Sequence, residues 1–314
     1  MDSWRNRAFN KLLSRVMRQR LARCNSTEEM RELISGIDNY GALISMPKDM
    51  VVTSTKFANV GCDWVDMPNS SGNKIVLYFH GGGFCFHSPN IHNAFLARLG
   101  NATKSRGLMV NYSLAPERPY PAAADECYAV YRTLLIKGYL PHQIFFAGDS
   151  AGGNLALTTL IRLRNANLPM PAGAILLSPV TDMAVTGESA FTKSKDDPFF
   201  DLSTLLLMRN NYIGNHNPCD PDVSPYYAAL HDLPPIFITA GTEEVLRDDS
   251  IRLAEKIAEA EGDVTINIVK GVPHVYPLFY QLSEAKEAIK LMASFVVDRY
   301  KAIKPSTPSK KKAS

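Results

Sequence analysis

Two tryptophans, five cysteines and a formal charge of only +3 over 314 residues argue against several classes of protein at once. The cysteines, Cys24, Cys62, Cys85, Cys127 and Cys219, are odd in number and widely spaced, with no Cys-x-x-Cys pair. They fit reduced thiols and neither a disulfide frame nor a zinc site, so no metal is expected. No apolar run approaches the ~20 residues of a membrane-spanning helix. The arginine-dotted N-terminus lacks the apolar block of a signal peptide. These absences lead to the expectation of a cytoplasmic protein without stable membrane insertion. The charge excess is no larger than Lys310-Lys311-Lys312 supply, and nothing in it argues for nucleic acid. No G-x-x-x-x-G-K-[ST] phosphate cradle occurs, and no cofactor is expected.

What is present is an ordinary globular composition, 46% hydrophobic and 21% charged, in a chain long enough for one large α/β domain with an appendage. Residues 2 to 23 read as an amphipathic basic helix, with Trp4, Ala8, Leu12, Leu13, Val16 and Met17 on one face. Two uses fit it, lying on an anionic membrane surface or packing on the rest of the protein, and packing is the commoner. A second helix starts at a Ser26-Thr-Glu-Glu29 capping box and runs towards Ile34, and Pro47 closes this N-terminal piece.

From Met50 strands alternate with helices. Strands are expected at Val51 to Thr53, Cys62 to Val65, Lys74 to Phe79, Leu108 to Tyr112, Ile144 to Ala147, Ala174 to Leu177, Ile236 to Ala240 and Val264 to Val269. Helices are expected near 91–102, 122–136, 153–164, 245–260 and 282–300. That rhythm predicts a mostly parallel sheet covered on both faces, after an antiparallel start. Between Pro179 and Leu233 no buried strand is expected, and a long insertion of this kind usually forms a lid or binding element. Residues 1–46 and 180–232 are therefore expected to form a helical cap. Residues 47–179 and 233–304 form the α/β core, and 305–314 has the composition of a disordered tail.

The chemistry centres on Gly148-Asp149-Ser150-Ala151-Gly152, between a strand and a helix. A serine on such a turn stands clear of the sheet, and the flanking glycines let strand and helix approach. A serine hydroxyl needs a base and a group to orient that base. Of seven histidines, His274, in the Gly271-Val-Pro-His-Val-Tyr loop after the last strand, is the best placed. His87, His92, His142, His216 and His231 read as solvated loop residues, and His80 as a loop-holding hydrogen-bonder. Four carboxylates follow the strand before: Glu243, Glu244, Asp248 and Asp249. The two aspartates fall in the first turns of a helix, where they suit its dipole, which leaves Glu243 or Glu244 to orient His274. His80-Gly81-Gly82-Gly83-Phe84 follows a central strand, and the N–H groups of Gly82, Gly83 and Ala151 are the candidate oxyanion donors.

His80-Gly-Gly-Gly-Phe84, Tyr112-Ser-Leu-Ala-Pro-Glu117, Gly148-Asp-Ser-Ala-Gly-Gly153, Glu244-Val-Leu-Arg-Asp248 and His274, in this order, resemble the hormone-sensitive lipase family of α/β-hydrolase esterases over about residues 50 to 300. The resemblance implies an α/β-hydrolase fold and hydrolysis of short- to medium-chain carboxylic esters by a Ser150-Glu244-His274 triad beneath a helical cap. It also implies a small-molecule ester as the partner, and a homodimer through the last strand and helix. The family's acid is most often aspartate in a D-P-L-R-D run. Counting back from Val-Leu-Arg-Asp248 puts Glu244 in that slot, and counting from Gly241 puts Glu243 there. Ser113 stands where the family commonly has arginine. Two other readings of the same scaffold are a hormone receptor of the gibberellin-binding type, a pattern in which the histidine is lost, and an amide or acetyl-group hydrolase.

Overall fold

In the computed structural model, which describes residues 4–302, eight strands form one sheet. They are β1 (Val51–Phe57), β2 (Val60–Asp66), β3 (Ser71–Phe79), β4 (Ser105–Asn111), β5 (Ile144–Asp149), β6 (Gly173–Leu177), β7 (Ile236–Glu243) and β8 (Val264–Pro273). Their spatial order is β1-β2-β4-β3-β5-β6-β7-β8, antiparallel for β1-β2 and β2-β4 and parallel from β4 onward. The helices are α1 (Trp4–Leu13), α2 (Gln19–Leu21), α3 (Thr27–Ser45), α4 (Pro89–Thr103), α5 (Ala122–Ile136), α6 (Ala151–Asn165), α7 (Ser189–Thr192), α8 (Leu202–Ile213), α9 (Arg247–Glu259) and α10 (Ser283–Ala302).

The uniformly apolar strands are apolar because both faces of the sheet are covered. Along β3, Ile75, Leu77 and Phe79 enter one core with α5, α6 and α9, while Val76 and Tyr78 enter a second core with α4 and α10. Successive side chains on a strand point to opposite faces, so one run serves two cores. The parallel strands share a further property: the site-bearing turns leave their carboxyl ends. Gly81 follows β3 closely, Ser150 follows β5, Ser178 follows β6, Glu244 follows β7 and His274 follows β8. This edge is where open α/β sheets bind ligands.

Several expected boundaries move. The first two strands are longer than their apolar residues indicate, because Ala58 and Asn59, both with positive φ, make a two-residue hairpin turn. β1 is an edge strand and mostly exposed, so the polar Ser54-Thr55-Lys56 fits there. The second helix does not stop near Ile34. Ser26 caps it as expected, accepting from Glu29 N at 3.2 Å, but α3 continues through Gly36 and Gly41 to Ser45. Asp38, buried in this continuation, accepts from Asn90 N at 3.1 Å and Ile91 N at 2.9 Å at the start of α4, which docks α3 on the core.

The N-terminal helix is not one regular element. A π-helical turn, Ser14–Arg18, separates α1 from α2. The expected apolar stripe divides as well: Leu13 and Met17 are buried, while Trp4, Ala8 and Leu12 face solvent. Two asparagines turn the helix this way, Asn6 Nδ2 donating to Glu284 Oε1 at 2.8 Å and Asn10 Nδ2 to the Gly271 carbonyl at 3.1 Å. Phe9 packs beside them, its ring centroid 5.2 Å from that of Phe279. The 180–232 segment carries α7 and α8 and no strand, and it meets the N-terminal helices directly. Arg18 donates to the Ser194 carbonyl at 2.9 Å and also to that of Lys195, and Asn211 donates to Thr27 Oγ1 at 3.0 Å. The proposed tail lies outside the described residues.

Candidate active site

Ser150 sits between β5 and α6 with φ +53° and ψ −117°. A non-glycine residue there stores about 1–3 kcal/mol of strain, and neighbouring strands hold it in place. Its N–H donates to the Leu177 carbonyl at 2.8 Å, and its carbonyl accepts from Val180 N at 3.1 Å. The flanking glycines are required by contact. A Cβ on Gly148 would lie 2.3 Å from the Gly152 carbonyl oxygen, and one on Gly152 would lie 1.8 Å from that of Phe79. Ala151 opens α6, so its N–H has no acceptor within the helix.

Asp149 joins this turn to the glycine turn after β3. Its Oδ1 accepts from Gly81 N at 2.8 Å and from the Tyr78 hydroxyl at 2.6 Å, and its Oδ2 lies 3.4 Å from His92 Nε2. Burial opposes the charged carboxylate, but His92 and these donors outweigh it and hold the group below its usual range. Gly82 has φ +114°, and a Cβ on it would meet the Phe86 carbonyl oxygen at 2.0 Å. A Cβ on Gly83 would strike Met208 of α8 at 2.2 Å, so the insertion lies directly on this turn.

Of the two candidate glutamates, only Glu244 is brought to His274. Its Oε2 accepts from His274 Nδ1 at 2.6 Å, while Oε1 accepts from Gly241 N at 2.6 Å and Ser178 Oγ at 2.9 Å. Glu244 and His274 are both buried. Glu243 turns away to pair with Lys193 at 3.1 Å. Burial alone would depress the His274 imidazole; the hydrogen bond and charge of Glu244, with Asp197 and Asp149 beyond, raise it instead. Asp248 and Asp249 hold structure, as their helix-start position suggests. Asp249 accepts from Thr181 N at 2.7 Å and Asp182 N at 3.0 Å, and Asp248 accepts from Ser189 N at 2.7 Å.

Three groups were not visible in the motifs. Ser178, just past β6, donates to Glu244 and accepts from Val275 N at 3.1 Å, fastening the acid to the histidine loop. Asp197 is fully buried in the insertion, accepts from Val245 N at 2.8 Å and Phe199 N at 2.7 Å, and is pushed up to about 7 by burial. Phe199 and Phe200 stand edge-on to His274, ring centroids 5.5 and 5.0 Å away. The one signal was Asp197-Pro198-Phe199-Phe200, an apolar pair inside a polar stretch.

His87 and His92, expected as solvated, instead pack with His80. His80 lies between Tyr112 and His87, at 4.1 and 3.9 Å, and its Nδ1 meets the Gly81 carbonyl at 2.7 Å. Burial holds His80 well below the usual histidine range and takes His87 to about 3. Nitrogens of the three rings lie within 4.8 Å of one another. The His80 and His87 rings are stacked only 14° from parallel, so no nearby point lies in the planes of both rings, where their lone pairs are directed. An ion about 2.0–2.1 Å from each nitrogen needs lone pairs that converge. The residues present do not fit a metal centre, and the cluster serves as packing behind the glycine turn.

Ser150, His274, Gly82, Gly83 and His92 line one cavity of about 110 Å³. Its remaining wall is almost wholly apolar, with Leu13, Met17 and Ile34 from the N-terminal helices and Phe199, Phe200 and Met208 from the insertion. A strained serine, a carboxylate-bound histidine and a glycine turn at the carboxyl ends of parallel strands define a serine hydrolase on an α/β scaffold.

Comparison with known proteins agrees. A family model described as alpha/beta hydrolase fold matches residues 76–278. The chain is 36% identical over 228 residues to an esterase of Acinetobacter venetianus, covering 72% of this chain and 75% of that one. It is 34% identical over 258 residues to an acetyl-hydrolase of Streptomyces hygroscopicus, covering 82% and 85%. The crystal structure of an esterase from the bacterial hormone-sensitive lipase family superposes with a TM-score of 0.88 at 32% identity, covering 93% of this chain and 98% of that one. The chain belongs to this hormone-sensitive lipase family of α/β hydrolases and is a carboxylesterase of the serine hydrolase type.

Proposed function

We propose that the protein hydrolyses short- to medium-chain acyl esters through Ser150, Glu244 and His274. Ser150 Oγ attacks the ester carbonyl carbon as His274 takes its proton, and Glu244 holds the imidazole tautomer and stabilises the imidazolium. The N–H groups of Gly82, Gly83 and Ala151 receive the oxyanion. Collapse of the tetrahedral species breaks the ester C–O bond, and the departing alcohol takes the proton from His274. Water then attacks the acyl-serine with His274 again as base, releasing the acid and restoring Ser150. The observation that carries this reading is the 2.6 Å bond between Glu244 and His274 beside a cavity that Ser150 also lines. Residues 1–46 and 180–232 act as the cap, since both supply its apolar wall.

The wall favours an apolar acyl group longer than acetyl. One related crystal structure was soaked by p-nitrophenyl butyrate, an ester of that length. The name of the Streptomyces relative supports the second reading, an acetyl-group hydrolase. A p-nitrophenyl ester series from acetate to palmitate separates them. Rates that peak between butyrate and octanoate support the first, and a peak at acetate supports the second. Ser150→Ala and His274→Ala each lower kcat by roughly 10⁴-fold or more if the triad holds.

A further inference from the structure

The two faces of the N-terminal helix answer to different demands. The inner face buries Asn6, Leu13, Met17 and Leu21 against the protein. On the outer face Trp4 is 70% exposed and Leu12 59% exposed, among the exposed Arg5, Lys11 and Arg15. Packing accounts for none of these five residues. Charge is divided just as sharply. Between Trp4 and Arg23 there are seven lysines and arginines and no acidic residue, whereas the rest of the chain carries 27 basic residues against 31 acidic ones.

We propose that this outer face docks on an anionic lipid bilayer. The Trp4 indole and Leu12 seat at headgroup level, and Arg5, Lys11 and Arg15 meet the lipid anions. Indole rings favour the membrane interface, and an interfacial helix places apolar side chains there among basic ones. Each basic residue near such a surface strengthens binding by roughly fivefold. The exposed indole and leucine select lipid over nucleic acid, which would use the arginines and leave Leu12 in water. No described helix is long and apolar enough to cross a membrane, so the contact is peripheral. Docking has a consequence for the cavity. The same helix lends it Leu13, Val16 and Met17, so the wall of the site would lie next to the phase in which apolar esters dissolve.

Flotation of the full chain with phosphatidylcholine vesicles, with and without phosphatidylserine, tests this independently of ester turnover. The protein floats with the phosphatidylserine vesicles and detaches as salt is raised. The triple variant Arg5→Glu, Lys11→Glu, Arg15→Glu loses roughly a hundredfold in partitioning. The variant Trp4→Ala, Leu12→Ser binds more weakly while keeping its salt dependence. Both variants hydrolyse soluble p-nitrophenyl butyrate as the wild type does, which excludes misfolding. Equal flotation on both vesicle types overturns the proposal, as does wild-type flotation by the triple variant. Tighter binding to a DNA duplex than to the anionic vesicles, unaffected by Trp4→Ala and Leu12→Ser, overturns it in favour of nucleic acid.

Discussion

The sheet edge and the helical layer over it divide the site between them, and they are built in opposite ways. At the edge, polar groups are fixed by backbone. Ser150 is pinned by Leu177 and Val180, and Glu244 takes N–H from Gly241. In the covering layer the side chains facing the cavity are apolar, and polar contacts sit behind them, as with Arg18 on the Ser194 carbonyl and Asp197 on Val245 N. On the proposed mechanism the edge carries reactivity and the cover carries fit. Substitutions at the edge should change kcat, and substitutions in the cover should change which ester is preferred.

After Ser150→Ala and His274→Ala, the largest effect should come from Glu244→Gln. Its oxygen can keep Ser178 and Gly241, but its amide then faces His274 Nδ1 and enforces the wrong tautomer, so kcat falls by roughly 10²–10⁴-fold. Because Glu244 raises His274, and the neutral imidazole is the base, the acid limb of kcat/KM against pH should move to lower pH in this variant. Glu243→Gln should stay within about twofold in rate, since that group pairs with Lys193 and accepts from Thr242 Oγ1 on the flank of the site. Equal losses at the two positions would erase the distinction drawn between them.

Asp197→Asn probes the seam between the two regions. Its amide would oppose the Val245 N–H, an unsatisfied buried donor worth about 1–3 kcal/mol, and kcat should fall roughly tenfold. The acid limb should move down again, because Asp197 is one of the charges that raise His274. A lower Tm with unchanged kcat and pH profile would assign Asp197 to the cover alone. Met17→Ala should be smallest in rate and clearest in preference. Removing a buried side chain from the cavity wall should raise kcat/KM for octanoate over acetate by roughly threefold to tenfold. A uniform loss across the ester series would show that Met17 supports the fold and does not shape the pocket.

The same division governs what the sequence disclosed. The edge was legible because its geometry demands particular residues at fixed spacing: glycines at 148 and 152, where any Cβ collides, and a serine between them. Strand positions followed from apolar runs that serve two cores. Glu244 stayed ambiguous beside Glu243, because a one-residue shift along a loop reverses which carboxylate faces inward, and spacing alone does not fix that. The cover was less legible. Leu13 and Met17 lie on the same apolar stripe as Trp4 and Leu12, and long-range contacts such as those of Asn6, Asn10 and Phe9 decide which part of it is buried. His87 and His92 read as loop residues because burial of a histidine cluster depends on long-range packing with Tyr112 and Asp149.

Asp149 bears on how the protein moves. One side chain bonds the turn that carries Ser150 to the turn that carries Gly82 and Gly83. On the proposed mechanism this bond ties the attacking oxygen to the groups that receive the oxyanion, so the two would move together. Breathing that admits an ester would then belong to the cover, where release of Arg18 frees the π-helical turn from Ser194 and release of Asn211 frees α8 from α3. Opening and closing of that kind would leave the reacting distances unchanged, so the catalytic geometry would not have to be rebuilt each time a substrate enters.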